Sequence, residues 1–578
     1  MPQLAAVEPF EHQALDRAIA ELKVGKDTWA RTVVPERIAL LDEIKDATMS
    51  VAESWTTTAT RKKLIPPGSP LAGEEWLSGP YALLAACNAL IETLARMDDK
   101  AFLRGLPLRD LPAGRIGATV FPASIWDRLL LSGVTAEVWM QPGVTRDNLA
   151  ENTASAYDGP AETRAGKIAL VLGAGNIASI APLDALHKLF AEHQATILKL
   201  NPVNDYLIDV LDIALRPLIA RGALRIVRGG ADVGQYLCEH PGVDEIHITG
   251  AEASHDAIVW GAGEEGRHNK QNGVRLNSRR ITSELGAVCP TIVVPGPWSE
   301  ADLEFQAEHI ATQKLHNDGF NCIACQMLIV SEGWDRTAPL LRRIEQTLKT
   351  APPRAPYYPG AQRRMADFAS HAAGAETIAR GGGDVCVLVP SVGDADGWLE
   401  ANEVFAPAIA VRRLQDAEPE AFLRAAIRYA NERLRGTLGA NILIHPATIA
   451  KIGDRRFDEL LAELRYGCIA VNAWAGLGFL MARAPWGAFP GHTPDDVQSG
   501  VGFVHNALLF DKPERTIVRG PFRPFPRSVL AGEMTLLPRP PWFVTNRTQH
   551  VVGRLLTAFE YRPSWLKLPR IFMNALRG

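Results

Sequence analysis

The chain has 578 residues, with 61 Lys plus Arg against 65 Asp plus Glu, a net charge of −4, and 47% hydrophobic residues. This balance excludes a globally basic nucleic-acid binder and a disordered acidic chain, and the length suits two or three sizeable α/β domains. Seven cysteines are an odd and thinly spread set, which argues against a disulfide framework and for a reducing compartment.

The opening MPQLAAVEPFEHQALDR is acidic and lacks the basic-then-apolar order of a signal peptide, so a cytoplasmic location is expected. The longest apolar run, YALLAACNALI at 81–91, is too short to span a bilayer. Residues 9–60 carry apolar positions at helical spacing, with Ile38, Leu41 and Ile44 following Pro35, and read as two or three scaffold helices. VTAEVWMQPGV at 134–144 alternates without a helical partner and is expected to form an arm or hairpin that pairs with another subunit.

From Lys167 the pattern changes. IALVLGAG is a continuous apolar run ending in glycines, as in a strand buried on both faces of a parallel sheet. A helical stretch over 182–193, ATILKL (195–200), a helix over 204–220, ALRIVRGG (223–230), a short helix and DEIHITG (244–250) complete a strand-helix alternation of doubly wound type. A second set follows, with TIVV (291–294), a helix over 300–314, MLIV (327–330), a helix over 334–349, VCVLVP (385–390), PAIAVRRL (407–414), ANILIH (440–445) and CIAVN (468–472). PPRAPYYPG at 352–360 reads as a loop. From Asp511 to Gly578 there are 12 Lys plus Arg against 4 Asp plus Glu, many prolines, Trp542 and Trp565, and a helix-like run over 548–561. Two readings fit this tail: a clasp packed on its own or a neighbouring subunit, or a basic and aromatic surface resting on an anionic membrane.

Three positions carry candidate chemistry. VLGAGNIAS sets Gly173, Gly175 and Ala178 in GxGxxA spacing after a buried strand, which fits dinucleotide phosphates at a helix N-terminus or a tight turn that needs glycine. The next strand ends in Lys199 and Asn201, without the acidic residue that would hold a ribose. Cys322, in HNDGFNCIACQ, follows a Gly and an Asn just before a strand, where backbone amides can activate a thiol. Its CxxC spacing with Cys325 also fits a redox or half-zinc site, but no second pair with ligand spacing exists. Glu284, in SELGAVCP, is a carboxylate inside a mostly apolar stretch, suited to a general base or to an ion pair.

In this order the segments resemble the aldehyde dehydrogenase superfamily over about residues 15–505, beginning with Trp29, Pro35, Arg37, Leu40 and Leu41. The resemblance implies an α/β fold of two doubly wound Rossmann-like domains, for cofactor and catalysis, with a β-arm for oligomerisation and a basic C-terminal extension. It places an NAD(P)-binding domain at 1–281, with 130–150 in the arm. It places a catalytic domain at 282–475, a return to the cofactor and oligomerisation region at 476–510, and the extension at 511–578.

It also implies roles. Cys322 is the nucleophile, Asn176 forms the oxyanion hole with the Cys322 amide, and Glu284 activates the hydrolytic water. Gly175 allows backbone approach, Lys199 contacts the adenosine ribose with Asn201 beside it, and Gly250 and Ala251 of ITGA lie at the phosphates. Leu285 faces the nicotinamide, Glu403 of EVFAP holds its ribose and Phe405 flanks its ring. VNAWAGLGFLMARAPWG resembles the substrate-anchor loop, in which the bulk of Trp474, Phe479 and Leu480 suits a medium or long aliphatic or an aromatic aldehyde. No metal is implied.

The chain departs from the family pattern at Pro202, where many NAD-preferring members have a glutamate, so both NAD and NADP stand as cofactors. Ala251 replaces a serine, and GAGN and GFNC replace the usual motifs. The expected reaction is oxidation of an aldehyde to the acid through a thiohemiacetal and a thioester. The alternatives are a CoA-acylating enzyme or acyl-CoA reductase, to which Glu284 would be superfluous, and a catalytically silent scaffold. The expected assembly is a homo-oligomer, dimer or tetramer, with no nucleic-acid partner and with peripheral membrane contact open through the extension.

Overall fold

The computed structural model describes residues 9–578 apart from 382, 394–396 and 534, with side chains from residue 12 onward. Two long helices, Pro9–Ala30 and Val34–Lys62, open the chain and turn at Pro35. The turn is pinned by Arg37, fully buried, which donates to the carbonyls of Thr32, Trp29 and Leu189 and lies 4.5 Å over the Trp29 ring. A cation held by carbonyls in this way ties the two opening helices to the helical turn His187–Ala191.

Strands β1 (Leu108–Asp110), β2 (Ile116–Phe121) and β3 (Thr135–Met140) form an antiparallel meander. The first α/β unit follows with β4 (Ile168–Leu172), β5 (Ala195–Lys199), β6 (Leu224–Val227), β7 (Glu245–Gly250) and β8 (Arg280–Leu285), in spatial order β6-β5-β4-β7-β8 and all parallel. The order reverses direction beside β4, which opens a crevice at the carboxyl ends of the strands.

A second sheet has eleven strands. Its parallel centre is β9 (Cys289–Val293), β10 (Cys325–Ser331), β12 (Asp384–Val389), β13 (Ala408–Leu414), β14 (Gly439–Leu443) and β15 (Cys468–Val471), with β11 (Glu376–Gly381) antiparallel at one edge. Apolar runs buried on both faces make the parallel strands, as the sequence predicts. A small pair, β16 (Pro485–Gly487) and β17 (Phe503–His505), stands apart. The last strand, β18 (Pro513–Arg519), runs parallel to β15 and antiparallel to β3, giving the order β1-β2-β3-β18-β15-β14-β9-β10-β13-β12-β11.

This corrects the expectation for the arm. Residues 134–144 supply β3, which pairs with β2 and β18 of its own chain instead of with another subunit. Alternation specifies a strand but not whose sheet it joins.

The extension packs on its own chain. Trp542, Phe543 and Val544 are buried, and helix Gln549–Tyr561 lies on the N-terminal helical layer, where a side chain at Gly73 would meet the Gln549 backbone at 2.4 Å. No helix among the described residues is long and apolar enough to cross a membrane.

Candidate active site

Five segments meet in the cleft between the two sheets. The loop 316–322, here called the nucleophile loop after the role expected of Cys322, joins helix Glu300–Leu315 to β10. Its backbone takes three successive left-handed residues, Asn317 (φ 51°), Asp318 (φ 55°) and Gly319 (φ 74°). Asn and Asp tolerate that region better than other side chains, and a Cβ at Gly319 would come within 2.7 Å of the Ala406 carbonyl, so the order Asn-Asp-Gly is what this bend requires.

Cys322 follows the bend and is the only cysteine among the described residues that is not fully buried. Its thiol lies beside the carboxyl of Glu284, which sits near the end of β8 and is 3% exposed. The Trp486 indole also lies close to Glu284, whose Oε1 has no hydrogen-bond partner. Burial, with repulsion from Asp184, raises the Glu284 carboxyl to about 8, the neighbouring thiol and indole opposing it. Burial and the negative charges of Glu284 and Glu403 hold the Cys322 thiol well above its ordinary value. The thiol is therefore neutral at rest, with a carboxyl near neutrality poised to take its proton.

Asn176 lies in the turn after β4, 5% exposed. Its Nδ2 donates to the Phe320 carbonyl at 3.0 Å, so one of its two amide hydrogens is used in fixing the group against the nucleophile loop. The Asn176 carbonyl accepts from Asn317 Nδ2 (3.2 Å) and from the Tyr357 hydroxyl (3.0 Å). Gly173 is required by packing, since a Cβ there would meet the Ala181 Cβ at 2.6 Å, and a Cβ at Gly175 would come within 2.7 Å of the Asn201 side chain. Lys199, largely buried, ends β5, and burial lowers its ammonium.

Register brings the next group together. Thr249 and Gly250 of β7 stand opposite Glu284 and Leu285 of β8, and Ala251 caps helix Glu252–Trp260 at the exposed rim. The Leu285 N–H is bonded to the Ser499 carbonyl at 2.8 Å. One residue on, a Cβ at Gly286 would fall 1.9 Å from Glu403 Oε2, so the Glu403 carboxyl lies directly on that glycine. Burial and the neighbouring Glu284 raise Glu403 to about 8, and its Oε1 has no partner. Phe405 adopts a left-handed φ of 42°, and its ring contacts Phe320 and Tyr358. A non-glycine residue held there stores backbone strain of a kind that clusters at functional positions.

The anchor helix Gly476–Leu480 closes the far side. Trp474 packs at a tilt against His316 with ring centroids 4.8 Å apart, and Phe479 packs edge-on against Trp486 at 5.6 Å and beside Ala174, Ile177 and Ile180. Leu480 also lines a cavity beneath the C-terminal extension.

Residues 207–481 match the family model for the aldehyde dehydrogenase family. Over nearly half its length the chain is thus similar to the aldehyde dehydrogenase family. A D-glyceraldehyde dehydrogenase (NADP(+)) of Thermoplasma acidophilum is 26% identical over 258 residues, covering 41% of this chain and 49% of that protein, so the match spans about half the relative's length. Among solved structures, the aldehyde dehydrogenase KauB from Pseudomonas aeruginosa aligns with TM-score 0.57 at 19% identity, over 87% of this chain and 88% of that one. An NAD-dependent aldehyde dehydrogenase from Sinorhizobium meliloti gives 0.55 at 17% identity, over 87% and 85%.

Four residues in the cleft escape sequence reasoning. Asn317 bridges Asn176 and the nucleophile loop, and Tyr357 and Tyr358 come from a segment that reads only as a loop. Gly286, inside SELGAVCP, signals itself only as a glycine in a strand-like stretch, which is a general cue for close approach. Behind the loop lies a buried charge cluster. Glu74 accepts from the Asn317 N–H (3.1 Å) and pairs with Arg354 (2.7 Å), Lys63 pairs with Glu75 (2.9 Å), and Arg380 pairs with Asp384 (3.0 Å).

Proposed function

We propose that the protein oxidises an aldehyde to the carboxylic acid with NAD or NADP as hydride acceptor. The observation that carries this is the adjacent pair Cys322–Glu284 in the cleft, with Asn176 fixed to the same loop. The cleft suits the nucleotide on its own terms: Glu403 Oε1 is a buried acceptor without a donor, as a ribose hydroxyl requires, and Gly286 and Gly175 keep side chains out of its path. Glu403 and Phe405 would hold the nicotinamide half and Leu285 would face its ring. Lys199 and Asn201 would meet the adenosine half, and Gly250 and Ala251 the phosphates. Bound there, the nucleotide supplies the hydride acceptor.

The chain's own residues do the rest. The Glu284 carboxylate takes the Cys322 proton, and a bond forms between the sulfur and the carbonyl carbon. The oxyanion is met by the second Asn176 amide hydrogen and the Cys322 N–H, donors of a type worth about 3–4 kcal/mol each to such steps. Oxidation leaves an acyl thioester on Cys322. Glu284, having released its proton to solvent, takes one from water. The hydroxide adds to the acyl carbon, the sulfur–carbon bond breaks, and the acid leaves.

Glu284 beside the thiol also weighs against the CoA-acylating reading, in which no water-activating base is needed. The test follows cofactor reduction by absorbance with a range of aldehydes, NAD or NADP, and with or without CoA, beside Cys322→Ala. Turnover without CoA that the variant loses supports the reading, turnover only with CoA replaces it with the acylating one, and none at all favours a silent scaffold. Assembly as a homo-oligomer belongs to the same proposal. A second reading of the tail, contact with an anionic membrane, has support from Trp565 and Leu566, 61% and 91% exposed among Arg562, Lys567 and Arg570.

A further inference from the structure

The C-terminal extension does more than cover the N-terminal helices. Between the two lies a cavity of about 410 Å³, within the range of small-molecule binding sites. Its lining is mostly apolar, with Leu77 and Ala85 from the N-terminal layer, Leu129 from helix Ile125–Leu130, and Leu556 and Ile571 from the extension. The charged groups on it have partners: Asn88 donates to Glu560 at 2.8 Å, Arg483 pairs with Glu92, Lys45 with Asp42 and Arg539 with Glu308, and Asp127 accepts from the Ser124 N–H. An alkyl group suits the hydrocarbon part of this surface and leaves those pairs in place.

Two elements run from the catalytic residues to this cavity. On the anchor helix, Leu477 and Leu480 line it, while Trp474 and Phe479 of the same segment touch His316 and Trp486. In the stretch 77–81, Leu77 and Tyr81 line it, while the Ser78 carbonyl accepts the Ser179 N–H at 3.1 Å, three residues past Asn176. The cavity thus borders the anchor helix, whose segment also touches His316 of the loop that carries Cys322. Leu536, 55% exposed, marks where it meets the surface.

We infer that this cavity holds the alkyl tail of a long-chain aliphatic aldehyde, so that the C-terminal extension is a wall of the substrate site. The inference rests on the aldehyde-oxidising reading above and narrows its substrate class. The test compares kcat/KM for butanal, hexanal, octanal and decanal, and measures binding of decan-1-ol to the free protein by calorimetry. Ala85→Phe and Leu556→Trp, which fill the cavity from opposite walls, are measured in the same way. Each methylene that enters should raise kcat/KM roughly threefold, and both variants should cut the decanal-to-butanal ratio and the decan-1-ol affinity at least tenfold.

If butanal is oxidised but the series is flat and decan-1-ol does not bind, the tail site is overturned while the catalytic reading stands. If no aldehyde turns over but decan-1-ol binds and either variant weakens it, the cavity assignment holds and the catalytic reading fails. Unchanged decan-1-ol affinity in both folded variants overturns the assignment to this cavity.

Discussion

Replacing Glu284 by Gln keeps the shape of the side chain and removes its charge, which separates what the carboxyl does for the reaction from what it costs the fold. Burial first, then repulsion from Asp184, moves Glu284 from an ordinary 4.5 to about 8. At 1.36 kcal/mol for each pH unit, ionised Glu284 costs the folded protein about 5 kcal/mol relative to the unfolded chain. Between about pH 4.5 and 8 the unfolded chain has released a proton that the folded chain keeps. Stability contributed by the neutral carboxyl is therefore fully present below that window and is lost as pH rises through it. Glu403 is held at about 8 partly by Glu284, so the two costs overlap and Gln relieves some of each. The variant should match the parent near pH 4.5 and melt a few degrees higher at pH 9. Its turnover should fall by about 10²–10⁴, and the rise of kcat/KM towards pH 8 should vanish. Thermal scans at several pH values and a pH–rate profile measure both effects. Parental turnover in the variant, or a lower melting temperature at pH 9, refutes the reasoning.

Further predictions concern the neighbours of Glu284. Cys322→Ala should abolish turnover and also the stoichiometric labelling of native protein by iodoacetamide, since the other cysteines are buried; parental labelling would run more slowly than that of free thiol at pH 7 and accelerate as pH rises. Asn176→Ala should lower kcat by about 10²–10³ with a smaller change in KM, read from steady-state kinetics. Gly286→Ala places a methyl within 1.9 Å of Glu403 Oε2, so it should weaken nucleotide binding in a fluorescence titration while thiol labelling of Cys322 persists.

The parallel strands are legible because burial on both faces writes itself as continuous Val, Ile, Leu and Ala, and Glu284 is legible because a lone carboxylate stands out in such a run. The strands β1, β2 and β11 are not: β1 has only three residues, β11 lies at the sheet edge with most of its residues exposed, and β2 beside β1 is a mixed run of small and apolar residues. Lys63, Glu74, Glu75 and Arg354 look in sequence like solvated charges. Their burial depends on partners such as Glu74 and Arg354, which are 280 residues apart and which no local pattern reveals. Asn317 is hidden for a related reason. In HNDGFNC it reads as a turn residue, and its bridge to Asn176 exists only once two distant loops meet.

The seam between β15 and β18 rests on four register pairs, Cys468 with Thr516 through Val471 with Arg519, whereas β18 is bound to β3 by six. The weaker ladder joins the antiparallel meander to the eleven-stranded sheet's parallel centre. The stretch from residue 472 to 512 bridges that seam, and it carries the anchor helix, Trp486 beside Glu284, and Ser499 against Leu285. The docking of the meander and the placement of the residues around Glu284 are thereby set by one and the same span of polypeptide.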